Sequence, residues 1–187
     1  MRAELRPQKL TYRDYLLFPE DGRRHEIIEG EHFVGPAPNL RHQTILLNLA
    51  VLLRNFLRPR RMGQVWVAPI DLVLSEIDVV QPDLVYVSAP RSEALTGSHL
   101  PEPPDLVVEV LSPSTRRTDA VSKRRLYEKH GIQEYWMVDP ESDSVEVYRL
   151  RDGAYQMMER LSLEDEGATL SSPLFPDWTI ELGELFQ

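Results

Sequence analysis

The sequence has no cysteine, which excludes a disulfide scaffold, a thiolate zinc site and a cysteine nucleophile together. No apolar run approaches the roughly 18 residues that a membrane helix needs. The opening residues, MRAELRPQKL, lack the apolar stretch of a secretory signal, so the expected location is cytoplasmic, with no membrane partner. There is no Gly-rich phosphate loop, no His-Glu-x-x-His and no Gly-x-Ser-x-Gly elbow. The 5 histidines are scattered without zinc-ligand spacing. Lysine is scarce: three of the 21 basic residues, the rest being arginine. What remains is an ordinary globular composition, 42% hydrophobic and 27% charged over 187 residues, enough chain for one domain with a layered core.

The net charge of −9 argues against a protein that coats nucleic acid through bulk charge. The distribution matters more than the sum. Residues 41–61 carry five arginines and no acid, and residues 112–130 carry six basic side chains against Asp119 and Glu128. Residues 139–187 carry twelve acids against three arginines. A basic face on an acidic protein is therefore open to this chain.

Periodicity divides the chain into elements. Residues 11–18 read as a short helix capped by Thr11, and 25–34 as two extended segments about a Glu-Gly turn. Apolar residues at Ile45, Leu46, Leu49, Leu52, Leu53 and Phe56 recur at three and four, which predicts an amphipathic helix over 42–57 ended by Pro59. Strands are predicted at 65–74, 79–88 and 105–111, with Pro69 and Pro82 marking an edge or a bulge. A helix over 116–130 follows, capped by Gly131, then a strand at 134–139 and a hairpin about Asp152-Gly153. The expectation is a mixed α/β domain spanning 1–187. Its core is about 41–140, with a helix and hairpin at 11–34 and an acidic β extension at 141–187.

Against that frame a few residues stand out. Glu109 lies in Leu106-Val107-Val108-Glu109-Val110-Leu111, a run apolar enough for a strand covered on both faces. An ionised carboxylate there must be paired or bind a cation. It is either a glutamate bonded to an arginine or to amides, or a metal ligand or acid/base group. Asp83, after Pro82, is a second carboxylate among apolar strand residues, and its plain alternative is a loop cap. Magnesium is commonly held by one or two carboxylates. The two are expected on neighbouring strands with their carboxylates on one face and, if unpaired, titrating high. On the predicted helix, Asp119, Lys123 and Tyr127 share a face. Lys123 is either a solvated partner of Asp119 or, in a chain that otherwise writes arginine, a compact ammonium suited to orienting a water. Glu29 competes with neighbouring acids for any role, and His42 opens the basic helix. Ser112-Pro113-Ser114-Thr115 caps the helix or presents amides to a phosphate. Trp136 and Tyr135 are expected in the core.

These residues together carry a resemblance. Glu26-Ile27-Ile28-Glu29-Gly30-Glu31, His42, Val80-Gln81-Pro82-Asp83-Leu84-Val85 and Pro104-Asp105-Leu106-Val107-Val108-Glu109-Val110-Leu111-Ser112-Pro113-Ser114-Thr115 form its first part. Asp119, Lys123, Tyr127, Gly131 and Glu134-Tyr135-Trp136-Met137-Val138-Asp139-Pro140 complete it. The pattern resembles the restriction endonucleases of the Uma-two type, in the PD-(D/E)XK nuclease superfamily, over about residues 12–155. One departure is informative. The superfamily places a lysine two positions after the strand glutamate, where this chain has Leu111, and the resemblance implies that Lys123 supplies the ammonium from the following helix.

The resemblance implies a restriction-endonuclease-like fold, a central mixed sheet flanked by helices, and a Mg²⁺- or Mn²⁺-dependent endonuclease acting on DNA. Asp83, Glu109 and the backbone carbonyl of Val110 would hold the metal. Lys123 would orient the water or stabilise the phosphorane. Glu29 would complete the metal shell or hold a second ion, and Asp119 and Tyr127 would support the site. Arg41, His42, Arg116 and Arg117 are the expected phosphate contacts, and a homodimer is open to the chain. Two other classes fit the same residues: a catalytically silent binding or regulatory module on this fold, and a hydrolase using the carboxylate pair on a non-nucleic substrate.

Overall fold

The computed structural model describes residues 9–112, 116 and 118–187. A short helix α1 (Tyr12–Tyr15) precedes the hairpin β1 (Arg24–Ile28) and β2 (Glu31–Gly35) and the long helix α2 (Leu40–Arg60). Next come β3 (Gly63–Val67), β4 (Asp71–Ser75), β5 (Asp78–Val80), β6 (Leu84–Ser88), the helical turn α3 (Ala89–Ser92), β7 (His99–Leu100) and β8 (Leu106–Val110). A π-helical stretch (Thr118–Lys123) leads into α4 (Arg124–Lys129). The chain finishes with β9 (Glu134–Asp139), β10 (Ser144–Arg151), β11 (Ala154–Ser162), β12 (Thr169–Ser171), β13 (Thr179–Glu181) and α5 (Leu182–Phe186).

The strands form a six-stranded sheet in the order β11-β10-β9-β8-β6-β3, a five-stranded sheet β2-β1-β5-β4-β7, and the pair β12-β13. In the larger sheet β8 runs parallel to β9 while the other neighbours are antiparallel. This is the mixed α/β architecture that the sequence pattern predicts.

The centre follows from alternation along β8. Successive side chains point to opposite faces, so Leu106, Val108 and Val110 fall in one buried cluster with Ile45, Leu49, Leu53 and Trp136. Val107 and Leu111 fall in the other, with Leu126, Tyr127 and Tyr135. The first cluster packs beneath α2, and residues 141–187 close it with Leu170, Phe175, Trp178, Ile180, Leu185 and Phe186. The acidic C-terminal segment thus supplies core and is not an appendage. The second cluster lies under α4 and the smaller sheet, which contributes Ile28, Leu72 and Val80. Glu109 shares the Val107–Leu111 side.

Three expectations need correction. Pro69 and Pro82 are neither edge nor bulge within one strand. Residues 63–88 form a long bent hairpin in which β3 pairs with β6 in the larger sheet and β4 with β5 in the smaller. Both prolines lie where the chain changes sheets, because a residue without an N–H cannot continue a ladder. The two crossings are tied by Ala68 N–H donating to the Asp83 carbonyl at 2.9 Å. Second, Pro59 does not stop α2, which runs to Arg60. The helix ends instead at Arg61, in the left-handed region at φ 52, where its N–H and that of Met62 return to the carbonyls of Arg58 and Leu57. Third, the 116–130 helix includes a π stretch over Thr118–Lys123, so its register is not that of a plain α-helix. Gly131 (φ 73) caps its end as expected.

Gly63 fixes one end of the bent hairpin. Its φ is +136, and a Cβ there would collide with the Val87 carbonyl and come within 2.9 Å of the Ser88 Cα. Gly63→Ala is expected to cost about 2 kcal/mol or more. At Gly97 a Cβ meets nothing closer than 3.7 Å, and Gly97→Ala should stay within about 0.5 kcal/mol. Denaturant melts of the two variants check the difference.

Candidate active site

Asp83 sits at the crossing between β5 and β6. Leu84 pairs with Val108 in the antiparallel ladder, so one step further the register sets Asp83 opposite Glu109, on the same face. Both side chains line one cleft of about 180 Å³, together with Arg24, Glu26, His42, Val110, Ser112, Lys123 and the Gly35–Asn39 connection. Both are nearly inaccessible, at 1% each. Beyond strand β6 the Val110 N–H donates to Asp83 Oδ2 at 2.8 Å, and His42 Nε2 donates to the same oxygen at 3.1 Å. The other oxygen, Oδ1, is buried and has no hydrogen-bond partner among the described residues. Arg24 Nη1 stands 2.8 Å from it as an ion-pair partner.

Glu109 is held from the helix. Tyr127 donates its hydroxyl to Glu109 Oε1 at 2.6 Å, and Lys123 Nζ donates to the same oxygen at 3.1 Å. Lys123 is 2% exposed and also pairs with Glu26 Oε1 at 2.8 Å. Glu26 in turn accepts the Gln81 N–H at 2.8 Å. The π stretch ends at Lys123 and α4 carries Tyr127, so one helical face delivers both donors to Glu109. The Asp119 side chain and Arg117 lie outside the described residues, as do Pro113, Ser114 and Thr115.

Glu26 rather than Glu29 joins this cluster. Glu29 and Gly30 are the two-residue turn between β1 and β2, both at positive φ, 54 and 85, the pattern of a type I′ hairpin. Its side chain is exposed and does not line the cleft. On β1, Arg24 and Glu26 are two apart and share the face toward the cleft. The signal that would have found them is that alternation, once the turn is placed at Glu29-Gly30. Two expected phosphate contacts are also committed elsewhere. Arg41 pairs with Asp143 at 2.7 Å, and Arg116 grips Asp139 at 2.7 and 2.8 Å and Glu141 at 2.7 Å. Of the expected phosphate contacts that the structure describes, His42 alone lines the cleft.

The carboxylate expected to titrate high does the opposite. Burial pushes Asp83 up, but the His42 hydrogen bond and the charges of Arg24, His42 and Lys123 outweigh it and hold the group down at about 2. The premise of an unpaired pair was wrong: cations fill the cleft. Tyr127 is pushed well above its ordinary value, by burial first and then by the Glu109 charge, so it remains a neutral donor.

Other buried carboxylates set the contrast. Asp78 accepts from Glu29 N–H, Ser75, Lys129 and His130. Asp105 accepts from Ser88 N–H and Arg91. Glu134 accepts from Trp136, Arg149 and Ser172. None of the three lines the cleft, and each fastens one segment to another. A larger cavity, about 320 Å³, lies at the far end of α2 among Arg54, Arg58, Arg61 and Glu93. Arginines there suit the negative end of the helix dipole, and no group of reactive side chains converges on it.

The cleft offers a hard cation carboxylate oxygens, donors that it prefers. The buried Asp83 Oδ1, with no hydrogen bond to satisfy it, is an acceptor suited to such an ion. Among the described residues no three metal-ligating side chains are already arranged about one point.

With that geometry in view, comparison with known proteins is informative. The model of the Uma2 family, described as a putative restriction endonuclease, matches residues 12–183. An uncharacterized protein of Synechocystis sp., slr1290, is 29% identical across 87% of this chain and 89% of its own length. A crystal structure from Anabaena variabilis, described as a putative nuclease belonging to DUF820, superposes with a TM-score of 0.81 over 95% of this chain and 97% of that one. At 22% identity that likeness shows a shared fold.

The depressed pKa of Asp83 makes a pH prediction. Its folded value, about 2, lies below the ordinary 3.8, so the group contributes stability that is fully present above 3.8 and is lost as pH falls toward 2. Asp83→Asn should be less stable at pH 7 by about 3 kcal/mol. The gap between wild type and variant should narrow below pH 3.8, as urea melts across that range would show.

Proposed function

The chain belongs to the Uma2 family, and on that premise we propose that it is a divalent-metal-dependent nuclease that hydrolyses phosphodiester bonds of DNA in the cytoplasm, with Mg²⁺ or Mn²⁺ as its ion. The observation that carries this reading is the buried Asp83 Oδ1, without a hydrogen bond, opposite Glu109 in a cleft that a third carboxylate, Glu26, also lines.

Asp83, Glu109 and the Val110 carbonyl would hold the ion, with Glu26 taking the part that the sequence alone assigned to Glu29. An ion held there would supply Lewis-acid polarisation of the scissile phosphate and would acidify the attacking water. The chain's own groups do the rest. His42 and the Val110 N–H fix the Asp83 carboxylate through Oδ2 and leave Oδ1 for ligation. Tyr127 fixes Glu109. Lys123, anchored on Glu26 and Glu109, presents a compact positive charge to the attacking water or to the charge that grows on the phosphate.

In the non-nucleic alternative Asp83 would be the base or nucleophile, because a carboxyl held ionised down to about pH 2 has no proton to give as a general acid near neutrality.

Plasmid nicking tests the proposal. Wild type should nick supercoiled DNA with Mg²⁺ or Mn²⁺ and not with EDTA, and Asp83→Ala should be inactive while folded. Lys123→Arg keeps the charge but substitutes a planar, larger group, and should lose activity on the order of a hundredfold or more. If wild type and Lys123→Arg nick alike, the lysine's role is wrong and the metal site stands. If wild type nicks under neither metal, the silent-module reading takes over. Affinity for a duplex, measured with Ca²⁺ to block cleavage, should fall steeply with salt as counterions are released. A flat salt response would point away from DNA.

A further inference from the structure

Among the described cations of the cleft, Arg24 alone combines two properties. Its Nη1 stands 2.8 Å from Asp83 Oδ1, and that oxygen has no hydrogen bond. The guanidinium thus supplies there the positive charge that a small hard cation would supply. Its side chain is 21% exposed, against 2% for both Asp83 and Lys123, so it lies at the mouth of the cleft with a way out.

Resting on the metal-dependent reading above, we propose that Arg24 is a built-in counter-ion occupying the cation seat at Asp83, and that it is exchanged for the divalent ion, the freed guanidinium then binding a phosphate oxygen of the DNA at the cleft mouth. A divalent ion and a guanidinium repel each other strongly at contact distance in a low-dielectric cleft. Arginine does not lose its proton in proteins, so it must move. Once moved, its planar fork suits phosphate better than any other side chain of the cleft. Lys123, buried between Glu26 and Glu109, stays. Because the ion and the phosphate draw on one displacement, each strengthens the other's binding by the same factor.

The test measures binding, with full-length wild type, Arg24→Met and Arg24→Lys. Mn²⁺ affinity without DNA is read from the electron-paramagnetic-resonance signal of free Mn²⁺. If the seat is open about a tenth of the time in wild type, Arg24→Met should bind Mn²⁺ about tenfold tighter. Duplex affinity is then compared in EDTA and in Ca²⁺. Wild type should gain on adding Ca²⁺, and Arg24→Met should lose most of that gain. Loss of a positive charge alone would weaken DNA binding equally in both buffers and leave the gain intact, and that result overturns the proposal. So does Mn²⁺ binding that is no tighter in Arg24→Met than in a wild type that binds it. Should both variants misfold, the Arg24 Nε–H resonance of wild type decides: it should shift as Ca²⁺ saturates, and a signal that stays fixed refutes the exchange. Wild type that binds no Mn²⁺ at all ends the metal reading and this inference together. That outcome is distinct from exchange failing alone.

Discussion

The structure depends on a cluster of charges taken out of water together. Arg24, Glu26, Asp83, Glu109 and Lys123 come from β1, the β5–β6 crossing, β8 and the π-helical stretch, and Asp83, Glu109 and Lys123 are almost wholly buried. A buried charge is tolerable only when paired, so each of these segments is placed by the needs of the others. The smaller sheet must lie beside the larger one for β1 to reach Asp83. The helix after β8 must fold back over the Glu109 side for Lys123 and Tyr127 to reach it. The start of α2 must come close enough for His42 to meet Asp83. The interactions that close the two-sheet arrangement are also those that assemble the site.

The protein uses buried carboxylates in two ways, and hydrogen bonding separates them. Asp78, Asp105 and Glu134 are surrounded by donors from their own and neighbouring segments and act as fastenings. Asp83 has one oxygen held by hydrogen bonds and one met by the Arg24 guanidinium. A fastening that saturates a carboxylate leaves nothing for chemistry, whereas a cluster held by cations keeps oxygens that another cation can use. The cost is stability that rests on charge balance, which is why the cleft carries arginine and lysine in the positions nearest its carboxylates.

Much of this was legible in the chain. The apolar neighbours of Glu109 identified a strand buried on both faces, and Asp83 and Lys123 stood out by local context, one among apolar strand residues and one as a rare lysine. The two hairpin turns at Glu29-Gly30 and Asp152-Gly153 were readable from residue type. The arginines were not. Arg41 and Arg116 look like free basic side chains in a one-dimensional view, and they are held by Asp143 and Asp139, 102 and 23 residues away. Composition records charge but not pairing.

The sequence by itself determined which residues face the same side of their own strand or helix, where turns fall, and that an acid in the middle of β8 must find a partner. Those properties follow from backbone periods of two and of nearly four, and from the cost of burying charge. Only the tertiary structure decided which strands lie side by side. It therefore decided that Glu26 and not Glu29 meets Lys123, that Pro69 and Pro82 mark a change of sheet, and that Arg24 reaches Asp83 across 59 residues of chain. Alternation fixes a side chain's direction within its own element, but its neighbours are chosen by long-range packing, and the site is made of neighbours.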